Sequence, residues 1–194
     1  MAGIERIRIN TKATGRGAWR FNVADKYNDY INRLYNYVFD LEDGIAITEC
    51  NIDSKLARYD KDFGVDVILT LKTGQTITVQ EKVLTTTFDT VTAEFYQNHR
   101  DNIPGDWFTL KSDLYFVGYT NPDTNSLRVF ILLNWLTVKL MHNSINWRIR
   151  ENKKDGAQAS FKYAYFADFP DECVLAKLDN GIFYVCDYLR TSNE

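Results

Sequence analysis

Apolar and polar residues alternate most clearly over residues 62–83, DFGVDVILTLKTGQTITVQEKV. Two apolar stretches flank a short polar segment that contains Gly74, a pattern typical of a β-hairpin. Side chains of a strand point alternately to its two faces, so one face of the first stretch is apolar while Asp66 lies on the other. We predict an antiparallel hairpin of strands 65–72 and 76–84.

The turn of this hairpin sets its register. A three-residue loop, Lys72-Thr73-Gly74, with Gly74 in the left-handed conformation, is a favoured hairpin connection. A two-residue type I′ turn would require a positive φ at the β-branched Thr73, which is costly. The longer loop aligns the apolar faces of both strands and places Asp66 opposite Gln80. Lys82 then lies one pleat further along on the same face.

The remaining pattern alternates less regularly. Apolar residues at helical spacing predict a helix over residues 25–40, with Asp25 as its N-cap. Further strands are predicted, in chain order, at GIAITECNI, TVTAEFYQN, 113–119, LRVFILL, ASFKYAYFADF and GIFYVCDYL. NWLTVKLMH predicts a short helix, and NWRIRENKKDG a charged loop. No repeat or linker divides the 194 residues, so we predict one domain over residues 1–194.

Charge and hydropathy limit the expected partners. With 23 Lys and Arg against 26 Asp and Glu, the formal charge is −3, so a nucleic-acid surface would have to be local. Two basic segments are candidates: an N-terminal arm, residues 1–20, and a cluster of Arg148, Arg150, Lys153 and Lys154. Solvated surface charge explains both segments equally well. Without a long apolar segment, we expect a cytoplasmic protein with no membrane partner.

The polar face of the hairpin combines groups that suit phosphodiester hydrolysis. Asp66, the side-chain carbonyl of Gln80 and the backbone carbonyl of Glu81 are oxygen donors of the kind that Mg²⁺ prefers, and Mn²⁺ is an alternative. Such a metal polarises a phosphate and lowers the pKa of a bound water. Lys82 would orient this water or stabilise developing negative charge.

The segment GVD, followed by VQEK fourteen residues on, resembles the PD-(D/E)XK nuclease superfamily, and the Gln-x-Lys variant is similar to Mrr-type restriction nucleases. The resemblance covers residues 25–97. It implies an α/β, restriction-endonuclease-like fold, in which helices flank a mixed β-sheet, and Mg²⁺-dependent cleavage of DNA. It also implies metal-side roles for Asp66 and Gln80 and a catalytic role for Lys82.

Three further acidic residues are candidates for the site. The family often carries an acidic residue on its first helix, which Asp29 would supply. Glu81 occupies the x position on an otherwise apolar face, where it either pairs with a basic residue or becomes the acidic ligand if a β-bulge shifts the strand. Glu94 falls on the next predicted strand, near the expected metal.

Other functions remain open from the sequence. Gln80 supplies a neutral ligand, so the chain could instead be an inactive nucleic-acid-binding module of the same fold. An acidic, aromatic-rich α+β domain with a structural or partner-binding role is the third alternative, in which Gln80, Glu81 and Lys82 merely solvate an edge strand. The sequence does not decide between DNA and RNA, and a homodimer is compatible with it.

Overall fold

The computed structural model describes residues 18–39, 46–49, 63–71, 73–121, 123–124, 126–152 and 158–186. Of these, residues 18–26 and 46–49 are described by their backbone alone. The predictions for residues 1–17 and for Lys153 and Lys154 therefore lie outside the described residues. None of the helices described is long and apolar enough to cross a membrane.

The described residues form three short or medium α-helices and eleven strands. The helices are α1 (Ala18–Val38), α2 (Asp106–Thr109) and α3 (Trp135–Leu140). The strands are β1 (Ala46–Glu49), β2 (Val67–Thr70), β3 (Thr76–Leu84), β4 (Thr90–Asn98), β5 (Ile103–Pro104), β6 (Leu114–Thr120), β7 (Leu127–Asn134), β8 (Arg148–Glu151), β9 (Ser160–Tyr165), β10 (Val174–Asp179) and β11 (Ile182–Val185).

Two sheets organise these strands. The larger has seven strands in the order β1-β2-β3-β6-β7-β10-β11, and the smaller has four in the order β5-β4-β9-β8. Neighbouring strands are antiparallel except for β3 and β6, which run parallel. The larger sheet is therefore mixed, and the coarse α/β class predicted from the sequence is confirmed.

The hairpin of β2 and β3 has the predicted register. Val67 lies opposite Val79 and Leu69 opposite Ile77. The loop closes with a hydrogen bond from the Leu71 N–H to the Gln75 carbonyl, 2.8 Å, and Gly74 adopts a φ of 81°. Both features match the three-residue turn. The first strand is shorter than predicted, because β2 spans only Val67–Thr70.

Separate cores cover the two faces of the larger sheet. Ile31, Tyr35 and Val38 of α1 are buried against one face, together with Val67, Leu69, Val79 and Phe116. On the opposite face, Tyr115, Val117 and Tyr119 of β6 pack with residues of α3 and of the smaller sheet. The resemblance implied helices as flanks, whereas this second face is covered mainly by strands β4 and β9.

Two predictions of secondary structure are wrong, and one strand was not predicted. The first helix begins at Ala18, so Asp25 is not its N-cap; no Gly or Pro interrupts the chain between Ala18 and Val38. Residues 148–151 of the predicted loop form β8, which pairs with β9 although its side chains are largely exposed. The strand β10 was not predicted, since its buried run Val174–Ala176 does not alternate. The helix at α3 is confirmed, and so are the other predicted strands as far as the described residues extend; residues 44–45, 50–52 and 187–189 of the first and last of these lie outside them.

Candidate functional site

Asp66 and Gln80 meet beside the central hairpin. The Asp66 N–H donates to the Val79 carbonyl at 2.9 Å, which extends the pairing of β2 with β3. The carboxylate oxygen Oδ2 of Asp66 then accepts two hydrogen bonds, from Nε2 of Gln80 and, at 2.7 Å, from the Glu81 N–H. Asp66 is therefore held against β3 at the point where the sequence predicted it.

Gly64 lets the chain approach this point. Its φ of +62° is a left-handed backbone conformation that residues other than glycine rarely adopt. A Cβ at this position would lie 2.5 Å from Cδ1 of Leu110 and 2.9 Å from Oε1 of Gln80. A side chain here would thus displace Gln80, so the glycine before Asp66 contributes to the geometry of the site.

Lys82 lies on the same face as Gln80. In the parallel pairing of β3 with β6, Gln80 is opposite Tyr115 and Lys82 opposite Val117, and both partners belong to the core on the side of the smaller sheet. The ammonium of Lys82 donates to the carbonyl of Thr92 on β4 at 3.0 Å. The Tyr115 hydroxyl donates to the same carbonyl at 2.8 Å. Asp66, Gln80 and Lys82 therefore share one side of the sheet.

Glu94 and Asp106 add negative charge to this region. Burial raises the pKa of Glu94; the nearby charge of Asp106 raises it further, and the ammonium of Lys82 opposes this rise. Burial also holds the pKa of Tyr115 well above its usual value, with contributions from Asp106 and Asp66. The charges of Lys82 and Asp106 therefore act on Glu94, and those of Asp106 and Asp66 act on Tyr115. That Glu94 lies near a metal stays a prediction.

Asp106 and Tyr115 were not among the residues predicted for the site. Asp106 begins α2 directly after Gly105, whose N–H donates to the Phe95 carbonyl of β4 at 3.1 Å. A Cβ at Gly105 would come within 2.6 Å of the Glu94 carbonyl oxygen, so a glycine allows this close approach. The Pro104-Gly105 pair signalled a turn, but nothing local indicated that the turn packs against β4.

The structure does not bring Glu81 and Asp29 into the cluster. The Glu81 side chain lies on the helix side of the sheet, where its Oε1 accepts a hydrogen bond of 2.9 Å from the Tyr35 hydroxyl. Its backbone carbonyl is nevertheless 3.4 Å from Nε2 of Gln80. Asp29 is exposed on α1, which packs on the helix side.

The groups around Asp66 supply some of the oxygen ligands that a hard cation such as Mg²⁺ needs. Within the described residues, no three His, Cys, Asp or Glu side chains are grouped so that they could hold a metal ion. A cation beside Asp66 would therefore need the Gln80 side-chain carbonyl and the Glu81 backbone carbonyl. A half rotation of the Gln80 amide would exchange the positions of its nitrogen and its oxygen. All three donors would then be oxygens, as Mg²⁺ requires.

The two described arginines of the predicted basic cluster have different surroundings. Arg148 donates to Oδ2 of Asp168 at 2.8 Å, and its guanidinium lies 4.8 Å from the centre of the Tyr165 ring. Arg150 is exposed on β8. Arg148 is thus occupied by partners within the protein, whereas Arg150 faces solvent.

Comparison with known proteins adds no relative. No protein-family model, curated protein or solved structure matched the chain.

Proposed function

We propose that the protein is a Mg²⁺-dependent endonuclease that hydrolyses phosphodiester bonds in DNA, with the larger sheet as its restriction-endonuclease-like core. The observation that carries this proposal is the contact between Asp66 and Gln80 on the face that also carries Lys82. The order of a helix, an antiparallel hairpin and a parallel neighbouring strand also supports a mixed catalytic sheet.

Asp66, Gln80 and the Glu81 carbonyl would hold the cation, which, when bound, polarises the scissile phosphate and acidifies a water. The Lys82 ammonium would leave the Thr92 carbonyl to orient this water or to donate to the charge that develops on the phosphate. Glu94 lies near Lys82 and is able to take up a proton there, because burial raises the pKa of its carboxyl group.

The direct test is nicking of a supercoiled plasmid with Mg²⁺, with Mn²⁺ and with EDTA. The wild-type protein should nick only with metal, and Lys82→Ala should lose cleavage while DNA binding stays nearly intact, because Lys82 acts on the transition state. Lys177→Ala, on the distant strand β10, is the matched control and should cleave normally. A wild type inactive with both metals would refute the proposal, and an active Lys82→Ala would refute the role of the lysine.

A second function, an inactive nucleic-acid-binding module, is favoured by one observation. Oδ2 of Asp66, the one carboxylate of the proposed ligand set, already accepts two hydrogen bonds from protein groups. If these bonds persist, the protein should bind DNA without binding Mg²⁺. Calorimetric titration with Mg²⁺ in the absence of DNA separates the two functions.

The DNA-binding part of the proposal is tested by comparing two arginines. Arg150→Gln should weaken DNA binding and reduce the slope of log K against log salt concentration by about one, since an exposed cation is available to a phosphate. Arg148→Gln should change the slope less, because Arg148 is paired with Asp168. Equal slopes for both variants and the wild type would show that β8 does not contact DNA. Lys153 and Lys154, predicted from the sequence, belong in a second round of the same assay.

A further inference from the structure

A second polar region lies away from the Asp66 face, at an open cleft of about 450 Å³. Residues 142–147, which follow α3, form one wall, and Lys162 of β9 contributes to the other. The wall carries mostly exposed polar side chains, His142, Asn143, Ser144 and Asn146. These groups offer several hydrogen-bond donors around one space.

Lys162, which lines the cleft, shares the ring of Trp107 with Lys139 of α3, which does not line it. The ammonium of Lys162 lies 3.9 Å from the ring centre, and that of Lys139, from α3, lies 4.2 Å from it. Because both distances end at one ring, the two ammonium groups are at most the sum of these distances apart. Within the described part of the chain, neither lysine forms an ion pair with a carboxylate.

This arrangement is electrostatically costly. The faces of aromatic rings attract the ammonium groups but leave their charge uncompensated. Burial, and then the charge of Lys162, lowers the pKa of Lys139 to about 8, and burial lowers the pKa of Lys162. An anion in the cleft beside Lys162 would offset part of this positive charge. The same cluster also contains two buried indole N–H groups, those of Trp135 and Trp147, with no acceptor among the described residues.

We propose that this cleft binds a phosphoryl group through Lys162, with the charge of Lys139 adding attraction from the far end of the shared Trp107 contact. A phosphate carries between one and two negative charges near neutral pH and several acceptor oxygens, which matches one ammonium group, the indole N–H of Trp147 and a wall of amides and hydroxyls. The cleft is larger than a phosphate ion, so it also admits the terminal phosphate of a nucleotide or of a nucleic-acid strand. This inference does not depend on the proposed metal site.

The tryptophans provide the readout. The ring centres of Trp107 and Trp147 lie within 5.3 Å of the Lys162 ammonium. An anion that binds this ammonium and draws it away from the rings should therefore change tryptophan fluorescence. The wild-type protein, in EDTA to prevent cleavage, is titrated with inorganic phosphate, with a 5′-phosphorylated oligonucleotide and with the same oligonucleotide bearing a 5′-hydroxyl. Saturable binding of phosphate alone indicates a free-phosphate site, and a preference for the 5′-phosphorylated strand indicates a strand-end site.

Substitutions then locate the site. Lys162→Met should weaken binding by roughly tenfold or more, the effect of losing one hydrogen bond to a charged group. Lys139→Met removes only a charge that does not line the cleft, so it should weaken binding less. Lys162→Arg keeps the charge and should retain most of the affinity, which separates lost binding from a damaged fold. Lys177→Met is the matched control, since Lys177 also lies near a ring, 5.5 Å from the centre of Tyr184, but away from the cleft.

Two results would overturn the proposal: no saturable response of the wild type to inorganic phosphate or to the 5′-phosphorylated strand, or unchanged affinity in Lys162→Met. Lys82→Ala should bind phosphate as the wild type does. If Lys82→Ala alone lost this binding, the phosphate would be bound at the Asp66 face and the cleft would be excluded. An inactive nuclease with an intact phosphate response would refute the proposed function and leave this inference standing.

Discussion

The two faces of β3 both carry polar residues, but their surroundings differ. The side chain of Glu81 lies on the helix side, where the apolar residues of α1 pack, and its carboxylate accepts a hydrogen bond from the Tyr35 hydroxyl. On the opposite side, Gln80 and Lys82 face other ionisable or polar groups that belong to different parts of the chain. A polar residue in a strand is thus explained by what its face meets, and adjacent residues can serve separate purposes.

The helix side has the character of a closed core. Tyr35 is fully buried, and its ring packs edge-on against Phe116 with the ring centres 6.0 Å apart. Its hydroxyl donates to the half-buried carboxylate of Glu81 at 2.9 Å, so this charge has a partner within the protein. On the opposite side, the charges of Lys82 and Asp106 act on Glu94, those of Asp106 and Asp66 act on Tyr115, and Asp106 itself is exposed. Several charged groups from different segments thus meet on this side, which distinguishes a candidate site from a single carboxylate paired with a tyrosine.

The face of β3 that carries Gln80 and Lys82 is called the open face below, and the face that carries Glu81 the closed face. The largest expected effect on metal binding and cleavage follows from removing the Asp66 carboxylate on the open face. Asp66→Ala should lose Mg²⁺ binding and cleavage together, with a fall in rate of more than about a hundredfold, because it removes the charged ligand. Calorimetry and plasmid nicking measure the two effects.

Asp113→Ala is the matched control for Asp66→Ala, since Oδ2 of Asp113 also accepts a backbone N–H of β3, that of Thr78, at 2.8 Å. It should reduce stability and leave cleavage intact. If both variants lost cleavage equally, the loss would reflect damage to β3, and the open face would have no special status.

The hairpin was predictable from the sequence because its determinants are local. The alternation of Val67, Leu69, Ile77 and Val79 and the glycine of the turn fix one register, and that register places Asp66 beside Gln80. Each of these signals lies within about twenty residues of chain. The side of the sheet on which Glu81 lies was predictable for the same reason.

The rest of the site depends on contacts between distant segments. The charges of Lys82 and Asp106 both act on Glu94 because β4 belongs to the smaller sheet, which packs beside β3, and no residue pattern in β4 indicates this packing. Tyr115 arrives through the parallel pairing of β6 with β3. Lys139 and Lys162 meet at Trp107 only after three separate elements have packed together. Such contacts follow from topology, and alternation alone does not specify topology.

A smaller effect distinguishes the faces directly. Gln80→Glu replaces an amide by a carboxylate of equal reach on the open face, so it should tighten Mg²⁺ binding by roughly tenfold and retain some activity. Glu81→Gln alters the closed face and should change metal affinity by less than about threefold. Calorimetry on both variants measures the difference. If Glu81→Gln abolished metal binding while Gln80→Ala did not, Glu81 would be the ligand and the assignment of faces would be wrong.

The smallest expected effect concerns stability alone. Tyr35→Phe removes the hydroxyl that donates to Glu81 and keeps the ring against Phe116, so it should lower the free energy of unfolding by about 1–2 kcal/mol. Urea denaturation measures this loss, and Tyr37→Phe, on the exposed side of α1, is the control that should change stability by less than about 0.5 kcal/mol. Metal binding and cleavage by Tyr35→Phe should equal those of the wild type. If Tyr35→Phe lost activity without losing stability, a change at Glu81 would be shown to affect the open face through β3. The two faces would then not be independent.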